Sequence, residues 1–301
     1  MKNYIALFIS FFCTSAIYAC DICGCGSGNN YIGILPEFKH RVIGIRYRYN
    51  QIHTHLGLNG SSYLTTKEQY QIAELWGSFQ VGKRLRIMAT VPYTFNTRTS
   101  STEQVAQQGF GDISVLAHYQ LLQNRMQDGK NKIWAQSLWI GAGIKMPTGV
   151  YKSSNKNEAN FFQTGSGSTD FMMQAMYDLR KQDDGINVNL LYKINTENKN
   201  EYLYGNRLSI SSQYYHKWKI NKSSNIAPNA GLLFETSGSD VNKGSTVFAS
   251  GGNVFMSSFG IEYGSKNWFA GAGFQLPITQ HLANEFAKTG NRLMIHIGYA
   301  F

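Results

Sequence analysis

Of 301 residues only 15% are charged and 14% are aromatic, with 30 Gly against 5 Pro and a formal charge of +10. That balance argues against a cytoplasmic enzyme. A mean hydropathy of -0.29, with no apolar run of about 18 residues beyond the N-terminus, excludes a helical membrane protein, because a spanning helix needs about 20 apolar residues. Lys and Arg are scattered singly rather than gathered in runs, which excludes nucleic acid as a partner. A soluble all-β protein or a transmembrane barrel remains.

The chain opens on Lys2 and an apolar stretch from Tyr4 to Tyr18 that holds Leu7, Phe8, Ile9, Phe11 and Phe12 and ends at Ala19. This stretch is too short to span a bilayer and reads as a secretory signal, residues 1–19, which puts the mature chain outside the cytoplasm. Cleavage after Ala19 and acylation of Cys20 as a lipoprotein are both open. Residues 20–38 then form an arm rich in Cys, Gly and Asn, with Cys20, Cys23 and Cys25 closely spaced. Soft thiolates flanked by Gly24 and Gly26 suit Cu(I) or Zn(II), while a disulfide or a lipid on Cys20 are the competing uses.

From residue 39 to 301 the chain repeats one pattern, about ten residues that alternate apolar with polar or small, followed by a loop. In the first segment Ile43, Ile45, Tyr47 and Tyr49 share one face and Arg46, Arg48 and Asn50 the other. In the third, Leu85, Ile87, Ala89, Val91, Tyr93 and Phe95 oppose Arg84, Arg86, Met88, Thr90 and Thr94. The period of two predicts strands near 39–55, 69–82, 84–95, 111–124, 132–147, 168–180, 185–197, 204–218, 224–237, 249–264, 266–278 and 290–301. Connections after the first, third, fifth, ninth and eleventh are long and polar. Those after the second, sixth and tenth are tight, and those after the fourth, seventh and eighth are intermediate.

A soluble sandwich also alternates. An even number of strands, long loops against short turns and a last strand carrying Leu293, Ile295, Ile297, Tyr299 and Phe301 on one face favour an outer-membrane barrel with both termini in the periplasm. The closing aromatics Tyr299 and Phe301 resemble the signal read by the barrel-assembly machinery. The fold class expected is therefore all-β, a transmembrane antiparallel β-barrel of about twelve strands with a short N-terminal periplasmic arm or plug. Its implied partners are the lipid bilayer with lipopolysaccharide, the assembly machinery and a small-molecule solute. Rings such as Tyr93, Phe95, Trp218, Phe234 and Trp268 sit at strand ends, where a headgroup boundary favours them.

Three spaced pieces, GFGDISVLAHYQL from Gly109, IGAGIKMPTGVYK from Ile140 and FFQTGSGSTDFMMQAMY from Phe161, resemble the outer-membrane family linked to the MetA pathway of phenol degradation, distantly related to FadL-type channels. The resemblance rests on Gly109, Gly111 and Asp112, on Lys145, Pro147, Thr148 and Gly149, and on Gln163, Gly165, Gly167, Ser168 and Asp170, with TVPYTF around Pro92. The opening CDICGCGSGNN is similar to a Bacteroidetes-type subset of these barrels that begins with a short Cys cluster. The resemblance implies an outer-membrane transport protein for small, hydrophobic or aromatic compounds and leaves the solute open.

No catalytic pattern is present: there is no HExxH, no GxSxG and no phosphate-binding Gly loop before a helix. His53 and His55 fall near a loop rim, and His118, His216, His281 and His296 stand apart from any nucleophile pattern. Parity instead assigns charges to a lumen: Arg46, Arg48, Arg84, Arg86, Asp112, Lys145, Asp170, Lys193, Glu235 and Arg292, with Glu74, Asp178, Arg207 and Glu262. Such charges brace a barrel as ion pairs, or they line a mildly positive passage for anionic solutes. Twelve strands fall between about eight, which fill their own interior, and about sixteen, which leave a wide channel, so the route is narrow. The competing reading is a barrel that merely anchors a periplasmic metal-binding arm.

Overall fold

The computed structural model of the protein describes residues 41–55, 65–128, 132–151 and 162–301. The expected signal and the Cys arm, with Cys20, Cys23 and Cys25, lie outside the described residues. Twelve antiparallel strands form the wall. They are β1 (Val42–Thr54), β2 (Thr66–Val81), β3 (Leu85–Thr99), β4 (Gln104–Phe110 continued by Ser114–Asp128), β5 (Lys132–Lys145) and β6 (Asp170–Lys181). The second half comprises β7 (Asp184–Ile194), β8 (Arg207–His216), β9 (Ser224–Ser237), β10 (Gly252–Ser265), β11 (Trp268–Leu282) and β12 (Ala287–Ala300).

Each strand pairs with the next, and β12 returns to β1 from Val42↔Ala300 to Thr54↔Ala287. The sheet therefore has no edge. In a bilayer this closure is required, because no water satisfies the N–H and C=O groups of an open edge strand. Among the described residues no helix is long and apolar enough to cross a membrane.

Connections sort cleanly onto two ends. Tight turns at 82–84, 182–183 and 266–267 and the stretch 217–223 share one end with the chain terminus, where Arg41 N–H donates to Phe301 O (3.1 Å) and Phe301 N–H donates to Arg41 O (2.9 Å). The opposite end carries the long stretches, including 195–206 and 238–251. Two connections expected to be long are short. β3 runs on to Thr99 and folds back at Gln104, and β11 reaches Leu282 opposite Ala287. Past the lipid a strand needs ladder hydrogen bonds but no apolar outer face, so the polar residues there hid the strand from an alternation test.

The outer face is apolar over a band of about nine to eleven residues per strand, the span a tilted strand needs. Ile45 is 57% exposed while its neighbour Arg46, facing inward, is 4% exposed. In β2 the band runs through Ala73, Leu75, Phe79 and Val81 and ends where Gln71 and Gln69 bond Tyr47 (2.9 Å) and Tyr49 (2.8 Å). Aromatics mark both rims. Trp268 packs edge-on to Tyr299 (5.0 Å) at the turn end, and Tyr93 contacts Phe95 (4.9 Å) and Phe110 (5.1 Å) toward the loop end.

The interior is not uniformly polar. Met88, Leu116, Met172 and Leu191 cluster between β3, β4, β6 and β7; Val42, Trp76 and Phe269 pack near the turn end. Toward the loop end Ile52, Tyr70, Leu233, Val254, Met256 and Leu282 form the largest cluster. A Cβ at Gly298 would lie 2.2 Å from Cζ of Phe269, so glycine there is what lets the ring lie inward.

Candidate functional site in the barrel lumen

One side of the lumen is closed by a polar clip. Pro92 in β3 has no N–H to give the ladder, and opposite it β4 is interrupted at residues 111–113, where Gly111 N–H donates to Pro92 O (2.9 Å). The interruption brings Asp112 to the loop that follows β5. Its Oδ1 accepts from Gly149 N–H (3.0 Å), and its Oδ2 accepts from Ser166 N–H (2.8 Å), Ser166 Oγ (2.7 Å) and Lys145 Nζ (2.9 Å). Thr148 Oγ1 accepts from Ile113 N–H (2.9 Å) and donates to Gly111 O (3.2 Å). Gly149 and Gly165 meet back to back; a Cβ on either would lie 2.7 Å from the other's backbone.

The clip continues along the wall. Lys145 Nζ pairs with Asp170 Oδ2 (2.6 Å) as well as Asp112, and Lys193 approaches Asp170 (3.7 Å). Two cations thus balance two carboxylates, which is how buried charge is held at acceptable cost. Ser168 Oγ donates to the other oxygen of Asp170 (2.8 Å), and Asn198 Nδ2 donates to Ser166 O (3.0 Å), tying in the next long connection. Phe162, Gln163, Thr164, Ser166 and Ser168 are all buried, with the Arg98 guanidinium 4.8 Å over the Phe162 ring. The segment from 162 to 168 therefore folds into the barrel. The three motif pieces converge here, with Gly109 in β4, Pro147 in the clip loop and Gly167 at a positive φ of 69° beside Tyr151. Ser166, Thr196 and Asn198, which the sequence did not single out, complete the network; Thr196 N–H bonds Asp170 Oδ1 (3.2 Å).

The other side holds a cavity lined by Arg48, Lys193, Arg207, Arg292, Glu235 and Glu262 together with Tyr70, Ile72, Leu191 and Met294. Its charges are bridged across the wall. Glu74, almost fully buried, takes both Arg46 Nε (2.5 Å) and Arg48, and Arg292 Nη1 reaches from β12 to Glu235 on β9 (2.7 Å). His296 faces Glu262 (3.1 Å). A smaller cavity lies against the clip, between Glu74, Thr90, Pro92, Asp112, Lys145 and Met172.

Arg86 packs over Trp139 (4.4 Å), and Asp178 accepts from the buried Tyr215 hydroxyl (3.0 Å). Arg84 does not line the lumen. Its parity is inward, but it falls in the turn 82–84 and is exposed, because a turn residue no longer obeys the two-residue period of the strand it precedes. The histidines are also less isolated than the sequence suggests: His118 Nε2 bonds Gln174 (2.8 Å) and His216 Nδ1 bonds Asp184 (2.8 Å). Tyr299 faces outward in β12, and Phe301 closes the turn end with a stacked contact to it (6.2 Å). Another buried carboxylate, Asp240, accepts from Tyr202 OH (2.5 Å) and Gly205 N–H (2.7 Å) and ties together the connections after β7 and β9.

The model of the family described as "Putative MetA-pathway of phenol degradation" matches residues 51–278, which contain the whole clip, the wall from β2 to β10 and most of β11. The chain belongs to this family. Among solved structures, an outer membrane channel from Pseudomonas putida F1 is similar at 15% identity, covering 92% of this chain and 100% of that one with a TM-score of 0.60, a likeness of fold. The β domain of the Bordetella autotransporter BrkA (8% identity, 87% and 100% coverage, TM-score 0.49) and the transport unit of AIDA-I from Escherichia coli (11%, 91% and 95%, 0.46) are looser barrel likenesses. No curated protein matches the sequence. Family members of this kind are outer-membrane barrels, and the band, rims and closure described above fit that setting.

Proposed function

We propose that the protein is an outer-membrane channel for small solutes with an apolar or aromatic body, its tight turns and both chain ends in the periplasm. The observation that carries this reading is the larger cavity, a space inside a closed wall whose lining mixes charged groups with Tyr70, Ile72, Leu191 and Met294. A lining of this kind wets a solute's polar end and still offers contact to its apolar end. The inward segment from 162 to 168 and the interior apolar clusters leave less room than a twelve-stranded wall would by itself. The family's association with phenol degradation and the likeness to the Pseudomonas outer membrane channel agree in direction.

The test is reconstitution of the mature chain. Planar bilayers should show small, discrete current steps in KCl, and proteoliposomes should admit phenol-sized solutes faster than disaccharides. A protein that inserts but passes neither ions nor solutes would overturn the reading. For orientation, an epitope placed in the long connection after β1 should be reached by antibody on intact cells, whereas one placed in the turn 182–183 should not.

A further inference from the structure

The lining of the larger cavity holds the cations Arg48, Lys193, Arg207 and Arg292 and the carboxylates Glu235 and Glu262. Arg48 is held by Glu74 and Lys193 lies near Asp170, which leaves Arg207 and Arg292 beside Glu235 and Glu262. The groups with unused hydrogen-bonding capacity gather in one part of the cavity. Arg292 gives Nη1 to Glu235 (2.7 Å) and keeps a buried Nε–H without an acceptor; Ser209 Oγ and Gln213 Oε1 are likewise buried without a partner. These positions adjoin. Ser209 lies directly across from Glu235 on β9 and from Leu191 on β7, and Arg207, two residues along on the same lumen face, lies opposite Lys193. Of these, the Arg292 Nε–H and the Ser209 hydroxyl are donors; removed from bulk water, they call for an anionic acceptor, and leaving them unmet is costly. The surrounding wall is apolar: Leu191 flanks Ser209, and Ile72 and Met294 both lie across from Arg48.

We propose that this part of the lumen is a binding site for a small aromatic monocarboxylate, with the carboxylate at Arg292, Ser209 and Arg207 and the ring on Leu191, Ile72, Tyr70 and Met294. The inference deepens the channel reading by naming the solute class that would pause on the route. Glu235 sets the strength of the site, since it competes with the solute for Arg292. A neutral phenol would meet the same apolar wall but bring no charge to the donors, and an aromatic cation would face the Arg207 and Arg292 guanidiniums.

The experiment uses the full mature chain in detergent and in planar bilayers with benzoate, phenol and benzylamine as probes. Benzoate should bind by calorimetry and reduce the KCl current in a saturable way, with phenol at least tenfold weaker and benzylamine without effect. Arg292→Gln should weaken benzoate about tenfold, while Glu235→Gln, which removes the competitor, should strengthen it severalfold. Arg292→Lys, which keeps charge, should fall between. Opposite shifts in the two neutralising variants cannot come from misfolding, because both remove one charge from the same ion pair. Equal responses to the three probes, or weakening in both variants, would overturn the proposal while the channel reading stands. Benzoate binding with no KCl current in any preparation would overturn the channel reading and leave the site.

Discussion

The two sides of the lumen use the same residue types to opposite ends. On the clip side Lys145 and Lys193 face Asp112 and Asp170 one for one, and backbone N–H groups of Gly149, Ser166 and Thr196 take up the remaining carboxylate capacity. On the cavity side Arg292, Ser209 and Gln213 keep buried polar atoms without partners. The first arrangement is closed and holds a loop; the second leaves hydrogen-bonding capacity facing the lumen. The difference teaches that lumen charge in this barrel has no single role, and that how fully each buried polar atom is met separates a brace from the surface proposed for binding.

The comparison can be broken most forcefully at Asp112. Asp112→Ala removes four hydrogen bonds from the clip loop and leaves Lys145 with Asp170 only, and losing one partner of a buried charged network costs about 3–5 kcal/mol. Heat-modifiability on gels should show a clearly lower unfolding temperature, and the KCl current should rise as the segment from 162 to 168 is released; an unchanged current would mean that the clip does not narrow the route. Glu74→Gln, between the clip and the larger cavity, removes the negative charge shared by Arg46 and Arg48, with an expected loss of about 1.5–3 kcal/mol. It should also shift reversal potentials toward anions, an effect that Asp112→Ala, whose charge loss lies on the balanced side, should show more weakly.

Gly165→Ala sharpens the same contrast without touching charge. Its methyl would sit 2.7 Å from Gly149 backbone, and overpacking of this kind costs about 1–3 kcal/mol. The expected result is a lowered unfolding temperature and a larger current with unchanged ion preference. Smallest of all, Arg84→Gln in the exposed turn should alter neither unfolding temperature nor reversal potential; a change in ion preference would return Arg84 to the lumen lining.

Much of the wall was legible because a two-residue period survives in every lipid-crossing stretch: Ile43 and Ile45 out, Arg46 and Arg48 in, and so around to Ile295 and Ile297. The period failed where its cause ceased. In 96–99 and 104–108 the strand stands clear of lipid, so polar residues fill both faces, and at Arg84 the chain is turning. The motif residues Asp112, Lys145, Gly149, Gly165 and Asp170 were visible as a spaced series, but Ser166 and Asn198 looked like ordinary loop residues. Their roles come from contacts 54 and 32 residues apart in the chain.

The sequence by itself determined which residues of each strand share a face and how many strands there are, since each of these depends on neighbours only a few residues apart. Only the closed tertiary structure decided that Glu235 on β9 would meet Arg292 on β12, that Glu74 would serve two arginines, and that three separated glycine-rich pieces would lock around Asp112. Curvature and closure choose which strands face one another across the lumen, and those distances follow from the whole ring rather than from any one strand.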